Sequence, residues 1–208
     1  MNDRPFHHGN LRAVLLDQAE RTLREGGIEA LSLRELARQA GVSHGAPRSH
    51  FVDRQALLDA LAERGFHRLA DELEAVIASD AGNAGNAGNA GNAGNFEQRF
   101  RAVATAYVRF AVTDAALLDL MFTAKNGDAP EGLRVASERL FAAFGELIGR
   151  GTEAGELAPQ DPYRLTLLFA ATMQGIAVLV GSRRISSEDG DRLIHDAVSL
   201  LVQGRQDT

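Results

Sequence analysis

The sequence predicts an all-α protein of about nine helices, three short ones followed by longer ones. Ala, Leu, Glu and Arg abound, apolar residues recur at spacings of three and four, and no stretch sustains the period-two alternation of Val, Ile and Thr that a half-buried strand shows. A chain of 208 residues is long enough for one large or two small domains with a real core. It has no Cys, which excludes disulfides and thiol catalysis and makes the reducing cytoplasm the natural setting. The start, MNDRPFHHGN, lacks the apolar core of a signal peptide.

Taken in order, Asn10 is placed to cap a first helix with Leu11, Val14, Leu15, Ala19 and Leu23 on one face, ended by Gly26 and Gly27. Ser32 and Glu35 have the spacing of a capping box and open a helix that Gly41 stops after about two turns. Ser43 caps the next helix and Asp53 the one after, which runs through Leu57, Leu61 and Leu69 towards Ile77. Residues 81–95 are five copies of Ala-Gly-Asn, without charge or bulk. They read as a flexible expanded loop that as a coil spans roughly 20–25 Å, or alternatively as a hinge.

Asn95 and Gln98 restart helix with Phe96, Phe100, Val103, Tyr107 and Phe110. Asp114 opens a short apolar segment ending at Met121 and Phe122, and KNGDAP is a loop. A long helix from about Glu131 to Thr152 carries Leu133, Leu140, Phe141, Phe144, Leu147 and Ile148. Asp161 and Pro162, a cap and a first-turn proline, start the apolar stretch Leu165–Ser182. Its length is marginal for a membrane span and it carries Thr166, Thr172, Gln174 and Gly175, so it reads as a buried helix. A last amphipathic helix runs from Ser187 through Leu193, Ile194, Val198 and Leu201.

The formal net charge is −6, but unevenly spread. The first 54 residues hold eight Arg against seven Asp and Glu, the remainder 14 basic against 21 acidic residues, and four of the six His (His7, His8, His44, His50) fall in the first part. Only that quarter of the chain suits a polyanion. It also holds two short helices meeting at Gly41, the second opening with Ser43, His44 and Gly45 and carrying Arg48, Ser49 and His50. This is helix-turn-helix spacing: Ala37 is small where the helices cross, Gly41 supplies a positive φ, and Leu33, Leu36, Val42 and Phe51 anchor the pair to the first helix. The free N–H groups opening the second helix favour an anion such as phosphate. A plain helical hairpin with a solvated face has the same pattern.

The stretch GVSHGAPRSHFVDRQALL, residues 41–58, resembles the amino-terminal motif of the TetR/AcrR family of bacterial transcriptional regulators, Gly-Val-Ser-x-Gly-x-x-Tyr-x-His-Phe-x-x-Lys-x-x-Leu. Gly41, Val42, Ser43, Gly45, His50, Phe51 and Leu57 or Leu58 match, with Arg54 for the Lys. The resemblance implies an amino-terminal three-helix DNA-binding domain (residues 1–55) and a larger helical effector-binding and dimerisation domain (residues 56–208). It implies a recognition helix from Ser43 to His50, with His44 and Gly45 facing base edges, Ser32, Arg34, Ser43, His50 and Arg54 on phosphates, and Ser49 on the same helix. Arg48 stands where the family has Tyr and can hold a phosphate or fork onto guanine; Pro47 removes an N–H that only the Ser43 carbonyl would use. His7 and His8 read as a solvated or backbone-phosphate arm rather than a metal site.

The order His-Gly-Asn-Leu-Arg at residues 8–12 and Ser-His-x-Ala-Pro at residues 43–47 also resembles a subgroup whose carboxy-terminal domain is marked by Trp-His-Gly, where this chain has Met173, Gln174 and Gly175. By the family resemblance the last two helices pair as a four-helix bundle in a homodimer on a palindromic operator, and a small apolar effector releases the DNA. Pocket candidates are Phe100, Tyr107, Phe110, Leu118, Met121, Phe122, Phe141, Phe144, Phe169 and Met173, with Gln174 as a polar contact. No phosphate loop, nucleotide fingerprint, zinc spacing or nucleophile elbow is present, so no enzyme, cofactor or metal is expected. The rival reading is a helical small-molecule sensor or adaptor that no longer binds specific DNA.

Overall fold

The computed structural model describes residues 11–81, 92–124, 129–157 and 161–203. Among them are eight α-helices and no strand: α1 (Leu11–Gly26), α2 (Leu33–Gln39), α3 (Arg54–Ala81), α4 (Asn92–Thr113), α5 (Ala115–Ala124), α6 (Glu131–Glu153), α7 (Pro162–Gly181) and α8 (Ser187–Gln203). Two 3-10 turns, Ile28–Ala30 and Ala46–Ser49, stand before and after α2. Asn10, His7, His8, most of the Ala-Gly-Asn repeat and residues 125–128 of the KNGDAP loop lie outside the described residues.

The described chain divides into two compact units, Met1–Gly65 with Ala116–Arg134, and Phe66–Ala115 with Val135–Thr208. In the first, Leu15, Leu16, Ala19 and Leu23 of α1 are buried together with Leu36 and Ala37 of α2, Phe51, and Leu57, Leu58 and Leu61 of α3. Each large apolar side chain among them contributes roughly 1.5–3 kcal/mol on leaving water, the main force holding so small a head. Polar clamps fix the helices in register: Gln18 on α1 donates to Gln39 on α2 at 2.6 Å, and Arg64 on α3 meets Asp17 on α1 at 2.5 Å. Gly65 lets α5 lie close to α3, because a Cβ there would come within 2.7 Å of the Met121 sulfur.

The second unit packs α4, α7 and α8 against one another, with Phe100, Val103, Ala104, Tyr107, Phe169, Met173, Ile176, Ile194 and Val198 buried. Helix α7 is the one described helix long and apolar enough to cross a membrane by length and composition. It buries Leu165, Phe169, Met173 and Ile176 in the unit's core and exposes Leu167, Leu168 and Val178. Asp161 caps it, its carboxylate accepting from the Tyr163 N–H at 3.0 Å, and Asp53 caps α3 through the Ala56 N–H at 2.8 Å.

Two expected helix starts are built differently. Ser32 sits at the N-cap of α2 without a side-chain cap hydrogen bond, and the Glu35 carboxylate of the expected capping box instead accepts from Arg38 and Gln39 along its own helix. The expected helix from Ser43 to His50 is instead the four-residue 3-10 turn Ala46–Ser49. An α-helix beginning at Ser43 needs an N–H at residue 47 for the Ser43 carbonyl, and Pro47 has none. The Ala46 N–H takes that carbonyl at 3.0 Å, one residue early, which closes the tighter turn. The count is therefore eight α-helices and two 3-10 turns in the described residues, against about nine helices expected.

Candidate functional site

The amino-terminal site is built on the end of α2. Gly41 has φ 68°, its N–H bonds the Arg38 carbonyl, and the Val42 N–H reaches back to the Ala37 carbonyl at 3.0 Å. This paired closure uses the left-handed conformation that glycine adopts without strain. It turns the chain so that Phe51 and Pro47 are buried while Ser43, His44, Gly45, Arg48, Ser49 and His50 are all exposed. The turn is closed internally: Arg48 N–H donates to the Gly45 carbonyl, and His50 and Phe51 N–H groups to the Pro47 carbonyl. Six polar or backbone-rich positions thus stand on a rigid, solvated surface formed by the 3-10 turn and its flanks.

The sequence-derived contacts differ in what they have left to offer. Ser32 and Arg34 stand at the start of α2, both exposed. The Ser49 hydroxyl donates to the Ala46 carbonyl at 2.7 Å, so its proton is engaged and only its lone pairs face outward. Arg54 donates Nε to the Leu31 carbonyl at 3.0 Å and Nη2 to the Ile28 carbonyl at 2.5 Å, tying the first 3-10 turn to α3. It is a structural clamp as well as an exposed cation. Arg12, which sequence reasoning passed over, lies with its guanidinium 5.4 Å from the centre of the Phe51 ring. On α2, Arg38 and Gln39 hold the Glu35 carboxyl down at about 2.

The second constellation is aromatic. Phe100 and Phe169 have ring centres 4.8 Å apart, Phe169 and Phe144 5.1 Å, Phe144 and Tyr107 6.4 Å, and Phe96 extends the row at 5.7 Å from Phe100. The Tyr107 hydroxyl donates to Gln174 Oε1 at 3.3 Å. Burial pushes that hydroxyl up to about 12. Met173 is buried in the same unit and Phe141 half-buried, while Phe110 lies under the Arg68 guanidinium at 4.8 Å. Leu118, Met121 and Phe122 belong to the other unit, where Met121 packs on Gly65.

Sequence reasoning also missed Ser137, which is 1% exposed on α6 with its hydroxyl lacking a hydrogen-bond partner. A lone small polar residue among apolar ones on the inner stripe of that helix was the available signal. No group of three or more metal-ligating side chains occurs among the described residues.

Two family profiles match the chain. Residues 15–61 match the bacterial regulatory proteins of the tetR family, and residues 100–201 match the tetracyclin repressor-like C-terminal domain. The chain belongs to the TetR family. Among solved structures, a Rhodococcus sp. RHA1 protein of unknown function is 39% identical, with 97% of this chain and 98% of that one aligned and a TM-score of 0.82. A TetR-family transcriptional regulator from Rhodococcus sp. is 21% identical over 92% of this chain and 97% of that one, TM-score 0.64. AibR, solved in complex with isovaleryl coenzyme A and operator DNA, is 17% identical over 92% of this chain and 97% of its own, TM-score 0.60. This TetR-family transcriptional regulator therefore carries its helix-turn-helix within residues 15–61, the segment that holds the Gly41 turn.

Proposed function

We propose that this TetR-family protein binds a palindromic operator as a homodimer, represses from it, and is released by a small effector held in the aromatic interior of its carboxy-terminal unit. The observation that carries the reading is the exposed set Ser43, His44, Arg48 and His50 on a turn fixed by Gly41 and Pro47. His44 and Gly45 face base edges, while Ser32, Arg34, Ser43, His50 and Arg54 hold phosphates. Arg48, free of the backbone bonds that engage Arg54, serves either a phosphate or a guanine. The reading head is residues 1–55 and the sensing and dimerising domain residues 56–208.

Support for the dimer comes from apolar side chains left uncovered on α7 and α8: Leu168 is 52% exposed, Val178 54% and Leu200 75%. With Ala171 and Gly175 between Leu168 and Val178 on α7, two copies of that helix can approach closely, as a four-helix bundle requires. Two heads related by a two-fold axis would read half-sites about 34–36 Å apart. A cytoplasmic setting follows from DNA as the partner. The likeness to the Trp-His-Gly subgroup rests on residues 8–12 and 43–47 alone, since Met173 and Gln174 replace the marker.

Selection of bound duplexes from a random pool at two salt concentrations tests the reading. An enriched inverted repeat with half-sites one turn apart is the expected result. Weak, strongly salt-sensitive binding without enrichment would instead support a helical sensor that no longer reads specific DNA.

A further inference from the structure

Between residues 11 and 65 the described arginines divide by what they already hold. Arg21 donates to Gln18 at 2.5 Å, Arg24 meets Glu20 at 2.6 Å, Arg38 meets Glu35, Arg64 meets Asp17 and Glu20, and Arg54 is engaged by two carbonyls. Arg12, Arg34 and Arg48 are left, with no hydrogen bond or ion pair to another described residue. Arg34 and Arg48 already have places in the docking on DNA. Arg12 has none, yet packing fixes where it stands.

Arg12 lies in the first turn of α1 and is exposed, with its guanidinium 5.4 Å from the centre of the Phe51 ring. A ring face attracts a cation without using any of its N–H donors, so all five remain free for an anion. The ring is itself held: Phe51 is 2% exposed, and its N–H shares the Pro47 carbonyl with that of His50, at 2.8 and 3.0 Å. Arg12 is thereby kept at the end of the turn that carries His50. No carboxylate of α1 stands at the spacing that would pair with it. The residues three and four positions on are Leu15 and Leu16, both buried, and Asp17 is engaged by Arg64 at 2.5 Å.

A cover for Phe51 alone needs no charge, since methionine or leucine would shield the ring as well. An unpaired cation in the quarter of the chain with more Arg than Asp and Glu, its side chain already narrowed by a ring, suits an arriving anion, because less freedom remains to be lost on docking. We propose that Arg12 is a DNA-backbone contact: its guanidinium holds a phosphate next to the one that His50 holds, so that α1 as well as the turn fixes the register of the head on the duplex. This rests on residues 1–55 being the reading head. A phosphate contact positions without specifying, so Arg12 sets affinity and salt dependence and leaves base preference to His44 and Arg48.

Binding of full-chain variants to the duplex selected by the parent, followed across a salt series, tests it. Arg12→Gln should lower the slope of log affinity against log salt by about 0.9 per protomer and weaken binding at physiological salt roughly fivefold per protomer, while selecting the same half-site. Arg12→Lys keeps the charge and should keep the slope. Arg21→Gln makes the same charge change on the same helix at a residue engaged with Gln18, and should keep the slope too. Arg12→Met, which still covers Phe51, repeats the charge loss if circular dichroism shows the glutamine variant unfolded. The parent's slope in the folded neutral variant, an equal fall in Arg21→Gln, a lost slope in Arg12→Lys or a changed half-site would each overturn the proposal. If the parent selects no duplex, the DNA reading of the head fails and Arg12 with it; if it selects one, and Arg48→Ala alters binding while Arg12→Gln does not, the Arg12 contact alone fails.

Discussion

In the amino-terminal unit, Ser43, His44, Arg48 and His50 stand in water on a turn whose backbone closes its own hydrogen bonds; in the carboxy-terminal unit, Tyr107 and Ser137 are buried beside phenylalanine rings or on the inner face of α6. Exposed polar groups cost the fold almost nothing, because water satisfies them until a partner arrives. Buried ones must be met from within, and Ser137 is not. The two sites therefore demand different scaffolds. The first needs a precise backbone under free side chains, the second an interior that tolerates an unmet group.

The scaffold of the head gives the largest expected effect. Phe51 is 2% exposed beneath the turn, so Phe51→Ala should cost about 3–5 kcal/mol in urea unfolding and abolish duplex binding. A cost below about 1 kcal/mol would mean the turn is not seated on that ring. Next comes Gly41→Ala. At φ 68° an alanine is strained, so a destabilisation of about 1–2 kcal/mol is expected, with duplex affinity falling too. An unchanged unfolding midpoint would show that the chain reaches the turn by another route.

Pro47→Ala sharpens the comparison with less energy at stake. Restoring an N–H at residue 47 lets the Ser43 carbonyl take its α-helical partner, so amide hydrogen exchange should show a longer protected helix. The preferred half-site should change with it, since His44 and Arg48 would be re-aimed. The same half-site from both proteins would argue that the 3-10 geometry does not matter for reading.

The smallest effect belongs to the sensor interior and is read by pH. Tyr107 is raised to about 12 by burial, against the ordinary tyrosine value of 10.0. The unfolded chain therefore ionises first, and the stability associated with the neutral hydroxyl is fully present below about pH 10 and disappears as pH rises towards about 12. Tyr107→Phe should flatten the alkaline limb of stability against pH. A limb identical to the parent would place the hydroxyl in water.

Much of the fold is legible in the sequence for physical reasons. Gly41, Asp53, Asp161 and Pro162 act within one turn of their own position, so their roles can be read locally, and each does what its spacing predicts. Ser32 and Ser43 do not cap as their spacing predicts: Arg38 and Gln39 engage the Glu35 carboxylate that the other half of a capping box would use, and Pro47 withholds the N–H an α-helix from Ser43 requires. Pro47 is plain in the sequence, yet one missing N–H changes the type of the whole short helix instead of deleting a single bond. The dual use of Arg54 depends on carbonyls 23 and 26 residues away, which no local pattern encodes. Aromatic residues of α4, α6 and α7 are identifiable by periodicity, but only tertiary packing brings the rings of Phe100, Phe144 and Phe169 together.

Because Arg54 also clamps the head, its removal would confound binding with folding, and Arg48 is the cleaner probe. The most direct measurement is the salt dependence of affinity for the selected duplex, compared between the parent protein and Arg48→Ala. If the exposed turn docks on DNA, the slope of log affinity against log salt should fall by about 0.9 for each phosphate that the shortened side chain no longer neutralises, or the preference at one guanine should relax with the slope kept. An Arg48→Ala protein with the parent's slope, affinity and base preference would contradict the docking of this turn on DNA.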